Sequence, residues 1–177
     1  VDPFDRFTRH PLEEVLVGEG TLTRTRADEL LASAQATGEP FGLVLLESGT
    51  MTPWDLAKTI ANHYQMPVHP LIGYRFDTSL LDGVDAGIFH HHHVIPLGAF
   101  GRTRTFAVLQ PPDRALIDEL TAAYGASLFF FVADGTEIGR ILRERVKVID
   151  TDKDSGWSKL FDAAEEGITK AATAKGA

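Results

Sequence analysis

A nine-residue segment occurs twice. Val15-Leu16-Val17-Gly18-Glu19-Gly20-Thr21-Leu22-Thr23 returns 29 residues later as Val44-Leu45-Leu46-Glu47-Ser48-Gly49-Thr50-Met51-Thr52. Five of the nine positions are identical and Leu22 to Met51 is conservative. A period near 30 is the length of a helix–turn–helix unit, which must bury its apolar face against a second copy. In each copy a glycine (Gly20, Gly49) follows a short apolar run, where a left-handed residue closes a last helical turn. A threonine (Thr23, Thr52) then stands where the next helix needs an N-cap. Pro53 takes the favoured first helical position and Asp55 makes the first turn acidic. The spacing predicts helices near 11–19, 24–36, 41–48 and 53–65, with Leu12, Val15 and Leu16 on one buried face and Leu56, Ile60 and Tyr64 on another.

Beyond Pro67 the texture changes. Residues 68–74 read as a Pro/Gly-bearing connector and 79–92 as one or two short helices. Val94–Leu97 and Thr105–Leu109 are strand-like and joined by a Gly101-Arg102 turn. Pro112–Tyr124 reads as a helix with Leu116, Ile117, Leu120 and Ala123 on one face, closed by Gly125. Ser127–Val132 is apolar on both faces, which predicts a strand central in its sheet. Ile138, Ile141, Leu142 and Val146 mark a following helix. The fold class is therefore α+β: a duplicated unit of four short helices over 1–67, then a small β-β-α-β-α layer over 68–149. Residues 150–156 read as a linker within a 150–177 segment. Trp157, Leu160, Phe161, Ala164 and Ile168 give that segment an amphipathic helix with a narrow stripe.

Composition narrows the function classes. The 177 residues contain no cysteine, which excludes a disulfide scaffold, a thiolate metal site and a cysteine nucleophile. A formal charge of −8 disfavours duplex nucleic acid as a partner. No apolar run reaches the roughly 18 residues of a membrane span, and no signal peptide is read at the start, so a cytoplasmic location is expected. There is no G-x-S-x-G elbow and no phosphate loop, and no enzyme is expected.

The order of these elements is specific. The duplicated L-x-x-V-L-x-x-x-G-T-(L/M)-T unit is followed by a Met66-Pro67 connector and a Val-Ile-Pro-Leu strand. Phe106-Ala107-Val108-x-x-Pro-x-Asp then runs into Leu116-Ile117-Asp118-Glu119-Leu120. From about Pro11 to Val146 this resembles the N-terminal domain of type II secretion and type IV pilus assembly ATPases, the E-protein family. The resemblance implies a non-catalytic docking and regulatory domain, either the front of a longer protein or a stand-alone relative. Its partner would be a protein, such as the cytoplasmic part of a membrane protein or an ATPase or other output domain. The surfaces expected to meet it are Leu12, Phe41 and Trp54 on the repeats and Trp157, Leu160 and Phe161 on the tail. Trp54, next to Pro53 at a helix start, reads more as a packing residue than as a ligand stacker.

Some relatives bind cyclic di-GMP through both repeats, each opening with R-L-G and ending with Gln, and the resemblance makes this ligand the alternative function. It would draw on Arg9, His10, Leu12, Leu16 and Gln35 from the first repeat and on Phe41, Gly42, Leu45 and His63 from the second. Pro11 and Pro40 stand at the motif arginines, Glu13 at the first glycine and His63 at the second Gln. Proline removes an N–H and a carboxylate repels phosphate, so the expected ligand site is a degraded one. No metal or other cofactor is expected. His90-His91-His92-His93 offers an i, i+3 pair that His69 could join, but no acidic partner stands at metal spacing, and such groups suit a helix C-terminus.

Overall fold

Thr23 and Thr52 are interchangeable at the level of the backbone. Each is extended (ψ 155° in both), and its hydroxyl accepts the amide N–H three residues on, at 3.2 Å from Arg26 and 3.1 Å from Asp55. The computed structural model describes residues 2–147, and within them the 29-residue period is a conformational repeat. Helix α2 (Leu12–Gly18) corresponds to α4 (Phe41–Glu47), and α3 (Arg24–Thr37) to α5 (Pro53–Tyr64). Both short helices start on a proline of nearly identical backbone, Pro11 at φ −57°, ψ 144° and Pro40 at φ −58°, ψ 140°. Both end on a glycine at positive φ, 74° at Gly20 and 70° at Gly49, where a side chain would be strained. Leu16 and Leu45, equivalent by the period, are both fully buried.

A short helix α1 (Asp5–Thr8) precedes the repeats, in a stretch where the polar, mixed-charge sequence carries no helical signal. Its aromatic residues anchor it: Phe4 and Phe7 lie 6.0 and 6.2 Å, centroid to centroid, from Phe130 on the sheet. After a 3₁₀ turn (Thr78–Leu81) and α6 (Ala86–His92) come β1 (Val94–Phe100) and β2 (Thr103–Val108), an antiparallel hairpin. α7 (Arg114–Tyr124) then leads to β3 (Ser127–Val132), parallel to β2, and α8 (Gly135–Arg145) follows.

The sheet order is β1-β2-β3, so β2 is the central strand and the expectation of a central β3 is corrected. Beyond β3, among the described residues, only Val68 bridges to Val132, with His69 donating its N–H to the Val132 carbonyl at 2.9 Å. The unbroken apolar run arises because both faces of this edge strand are dressed with aromatics. Leu128, Phe130 and Val132 point into the core, whereas Phe131 meets the His69 ring on the other face and Phe129 remains 40% exposed. Ala123, assigned to the buried face of α7, is exposed, while Leu116, Ile117 and Leu120 are buried.

One continuous core runs from the repeats to the sheet. The described residues, 2–147, form a single compact unit. At the seam between helices and sheet, a side chain on Gly135, the first residue of α8, would come within 2.9 Å of Leu46 on α4. The residues assigned to the linker and amphipathic tail, including Trp157, Leu160 and Phe161, lie outside the described residues.

Candidate functional site

Both repeat starts face the same piece of chain, Gln110-Pro111-Pro112-Asp113, which leaves the end of β2 and caps α7. Two prolines in sequence stop the strand because neither can donate to a ladder. Asp113 then accepts the Leu116 N–H at 2.8 Å and starts the next helix. Gln110 reaches across to α4, where its Oε1 accepts the Gly42 N–H at 2.7 Å. The approach is close: a Cβ at position 42 would lie 2.6 Å from Leu109 Cδ1 and 3.1 Å from Gln110 Oε1.

Two adjoining cavities flank this segment. One, of about 320 Å³, is apolar and is walled by Phe7, Pro11, Leu12, Phe41 and Pro111. The other, of about 200 Å³, is polar and brings together Glu39, Pro40, His91, His92, Asp113 and Glu119. At the second cavity His92 is 11% exposed, and its Nε2 lies 3.4 Å from Oε2 of Glu119. That pair lacks the alignment of a hydrogen bond, leaving Nε2 buried without a partner among the described residues.

The residues singled out for a cyclic nucleotide fall into three places. Leu12 and Phe41 border the groove, and Gly42 is buried beside it with its N–H bonded to Gln110. Leu16 and Leu45 are in the core with no exposed surface. Arg9 and His10 are exposed at the end of α1, where the His10 ring stands edge-on to His63 at 5.9 Å. The Tyr64 hydroxyl donates to the His10 carbonyl at 2.5 Å, and burial pushes its phenol pKa up, with Glu13 and Glu19 adding in the same direction. Gln35 is exposed on α3. The period pairs Gln35 with Tyr64 and Ala34 with His63, so Gln35 and His63 do not occupy equivalent places in the two repeats.

Trp54 is 55% exposed, which corrects the packing role considered for it. It stands in the first turn of α5, beside a shallow surface formed by Met51, Thr52, Pro53 and Lys58.

The histidine run has a structural use. His90 Nε2–H donates to the Val146 carbonyl at 2.6 Å, and His93 Nε2–H donates to the Gly135 carbonyl at 2.9 Å. The i, i+3 pair that could have faced a metal thus spans the two ends of α8. His69 lies elsewhere, its Nδ1 accepting the Leu71 N–H at 3.1 Å. Among the described residues no group of three or more His, Asp or Glu side chains is placed to hold a metal ion.

Gln110 and Glu119 were not placed at this site by sequence reasoning, and His92 entered only as one of the four histidines weighed for a metal. Gln110 had no local signal, because the group it serves is 68 residues away. The Pro-Pro-Asp that follows it was legible as a strand stop and helix start.

Residues 64–148 match the family model of the MshEN domain. No curated protein matches the chain. Among solved structures, MshE with cdg (cyclic di-GMP) is similar at 20% identity and a TM-score of 0.56, covering 78% of this chain and 100% of that one. The N-terminal domain of XpsE is similar in two crystal forms, at 22% and 21% identity and TM-scores of 0.51 and 0.56. Each covers 73% of this chain and 90% of that one. At these identities the structures establish a shared fold. The MshEN match covers the part of that shared fold from Tyr64 onward, 85 of the 177 residues.

Proposed function

We propose that this chain is a non-catalytic docking and regulatory domain of a bacterial secretion, pilus or envelope-associated machine. It holds a protein partner, either the cytoplasmic part of a membrane protein or an ATPase or other output domain. The observation that carries this reading over ligand binding is the state of the second repeat's helix start. The Gly42 N–H, the retained glycine amide of the degraded R-L-G motif, is already bonded to Gln110. Pro11 and Pro40 supply no N–H at either helix start, and Glu13 places a carboxylate beside the first. An exposed tryptophan on α5 supplies the kind of aromatic anchor that concentrates binding energy at protein interfaces. Among the described residues no helix is long and apolar enough to cross a membrane, so attachment to an envelope machine would go through the partner. This supports a cytoplasmic domain.

Site-specific photo-crosslinking in cells, with a photoreactive side chain at Trp54, tests the docking reading. The expected product is one discrete adduct with a component of the machine. If a probe at exposed Arg102 gave the same adducts, the Trp54 surface would not be the docking face.

A second reading, a cyclic di-GMP receptor, draws support from the similarity to MshE, whose structure was solved with that ligand. The gathering of Arg9, His10 and His63 at one end of the repeats also favours it. Calorimetric titration with cyclic di-GMP, using GTP and ATP as controls, separates the two. Saturable heat lost on replacing His10 and His63 would establish the receptor. The docking reading expects no heat.

A further inference from the structure

We propose that the end of the sheet formed by the β1–β2 turn and the start of β3 rests on the surface of an anionic lipid bilayer. The Phe100 ring enters the interface, and Arg6, Arg102 and Arg104 meet lipid phosphates. This goes beyond the docking reading: the contact orients a domain that a partner holds, and it does not depend on which protein that partner is.

The backbone assembles this end. The hairpin turns at Gly101-Arg102, and the Ser127 N–H donates to the Arg102 carbonyl at 3.2 Å, so β3 begins where β1 and β2 turn. Phe100 stands opposite Thr103, while Gly98 and Phe129 both stand opposite Thr105. The two-residue pleat therefore puts Phe100 and Phe129 on one face of the sheet. Phe100 is 85% exposed at the tip and Phe129 40% exposed behind it.

Arg102 and Arg104 line a surface hollow with Tyr124 and Ser127. Arg6 lines the adjoining hollow along Ser127–Phe130, its guanidinium 4.6 Å from the centre of the Phe7 ring. The two hollows share Thr121, Ala126 and Ser127, and among the described residues no Asp or Glu lines either. Nor, among the described residues, has any of these three arginines a carboxylate at ion-pair distance, whereas Arg24, Arg26, Arg114 and Arg140 each have one. The whole chain carries 25 acidic residues against 17 basic. At physiological salt, exposed charges more than about 8 Å apart are largely screened, so the local sign at this end governs what it touches.

Two independent properties then specify the occupant. Unpaired guanidinium groups are satisfied by phosphate or carboxylate oxygens. A phenyl ring left in water at a protruding turn is satisfied by an apolar phase. A bilayer interface supplies both at once, acyl chains directly beneath anionic headgroups. A free phosphate or an acidic peptide answers the arginines and leaves the ring in water.

The test is co-sedimentation of the full chain with vesicles of phosphatidylglycerol and phosphatidylcholine, with pure phosphatidylcholine vesicles as control. The expected result is binding to the anionic vesicles alone, at millimolar lipid, lost as salt rises. Arg102→Gln should weaken it about fivefold, the size of one arginine near a charged lipid surface. Phe100→Ser should weaken it about tenfold, the scale of returning one ring to water. Both positions are exposed, so melting temperatures should not move and lost binding is not lost fold. Arg26→Gln, on exposed α3 of the repeats, should bind as the unaltered chain does. Equal binding to the neutral vesicles, binding unchanged in Phe100→Ser or in Arg102→Gln, or equal weakening by Arg26→Gln would each overturn the inference. Absence of vesicle binding, together with oligoglutamate binding lost in Arg102→Gln, would assign this end to an acidic polypeptide instead. Absence of vesicle binding alongside a specific Trp54 crosslink would discard the bilayer contact and leave the docking reading intact.

Discussion

His93 closes α6 in the left-handed conformation, φ 54°, and its ring donates to the carbonyl of Gly135, the residue that opens α8, 2.9 Å away. A run of four histidines is thereby divided by the fold. Burial holds the His93 imidazole below its ordinary range, with Arg143 and His90 acting in the same direction, while the Gly135 carbonyl and Glu47 oppose it. The native state therefore keeps this ring neutral at a pH where the unfolded chain has begun to take up a proton near 6.5. Between those two values the unfolded state binds more protons, so stability is full above about 6.5 and falls as pH drops toward the native value. His69, also depressed by burial, acts with the same sign. Melting temperatures should thus fall between pH 7.5 and 5.5. In His93→Asn, which tolerates the left-handed backbone, the slope over that window should flatten. An unchanged slope would remove His93 from the account.

Gly42 is a packing position as well as a donor. Gly42→Ala forces a methyl to within 2.6 Å of Leu109 Cδ1, and Leu109 is itself buried. We expect a loss of about 1–3 kcal/mol on chemical denaturation, the usual cost of overpacking. Gln110→Ala should cost about 1 kcal/mol by leaving the Gly42 amide unbonded. The double variant should lose less than the sum, since the two changes act on one contact. Strict additivity in the denaturation midpoints would refute the coupling.

The repeat makes a paired prediction. Thr23→Ala and Thr52→Ala each remove an N-cap of the same geometry, and each should cost about 1 kcal/mol. Thr52 should cost the more, because its hydroxyl also bonds the Asp55 carboxylate at 2.7 Å. Urea denaturation of the two single variants measures the order directly.

Trp54→Ser should leave stability within about 0.5 kcal/mol, as surface substitutions generally do, because the side chain is more than half exposed. Partner capture by the intact chain should nevertheless weaken at least about tenfold if Trp54 is an anchor of the docking face. A large fall in melting temperature would instead return Trp54 to a structural role.

Local chemistry determined a good part of this molecule. The 29-residue period, the glycine after each short helix and the threonine before each long one act through bonds spanning a few residues. They fixed four helices almost to the residue, and the Gly101-Arg102 turn fixed the hairpin. The resemblance to E-protein N-terminal domains came from the same order of motifs, and the fold shared with MshE and XpsE agrees with it.

Long-range packing decided the rest. Phe4 and Phe7 make a helix of a polar stretch because they can reach Phe130, a gain that no local window contains. The run Ser127–Val132 is apolar on both faces whether a strand is central or flanked by aromatic side chains, so only pairing with β2 could place it at the edge. The site divides in the same way. Leu12 and Phe41 were legible from the repeat. Gln110, His92 and Glu119 join them only because the fold brings the end of β2, the end of α6 and one face of α7 to the two helix starts. A hydrogen bond between residues 68 apart leaves no periodicity in the sequence, and the tertiary structure alone supplies the proximity on which it depends.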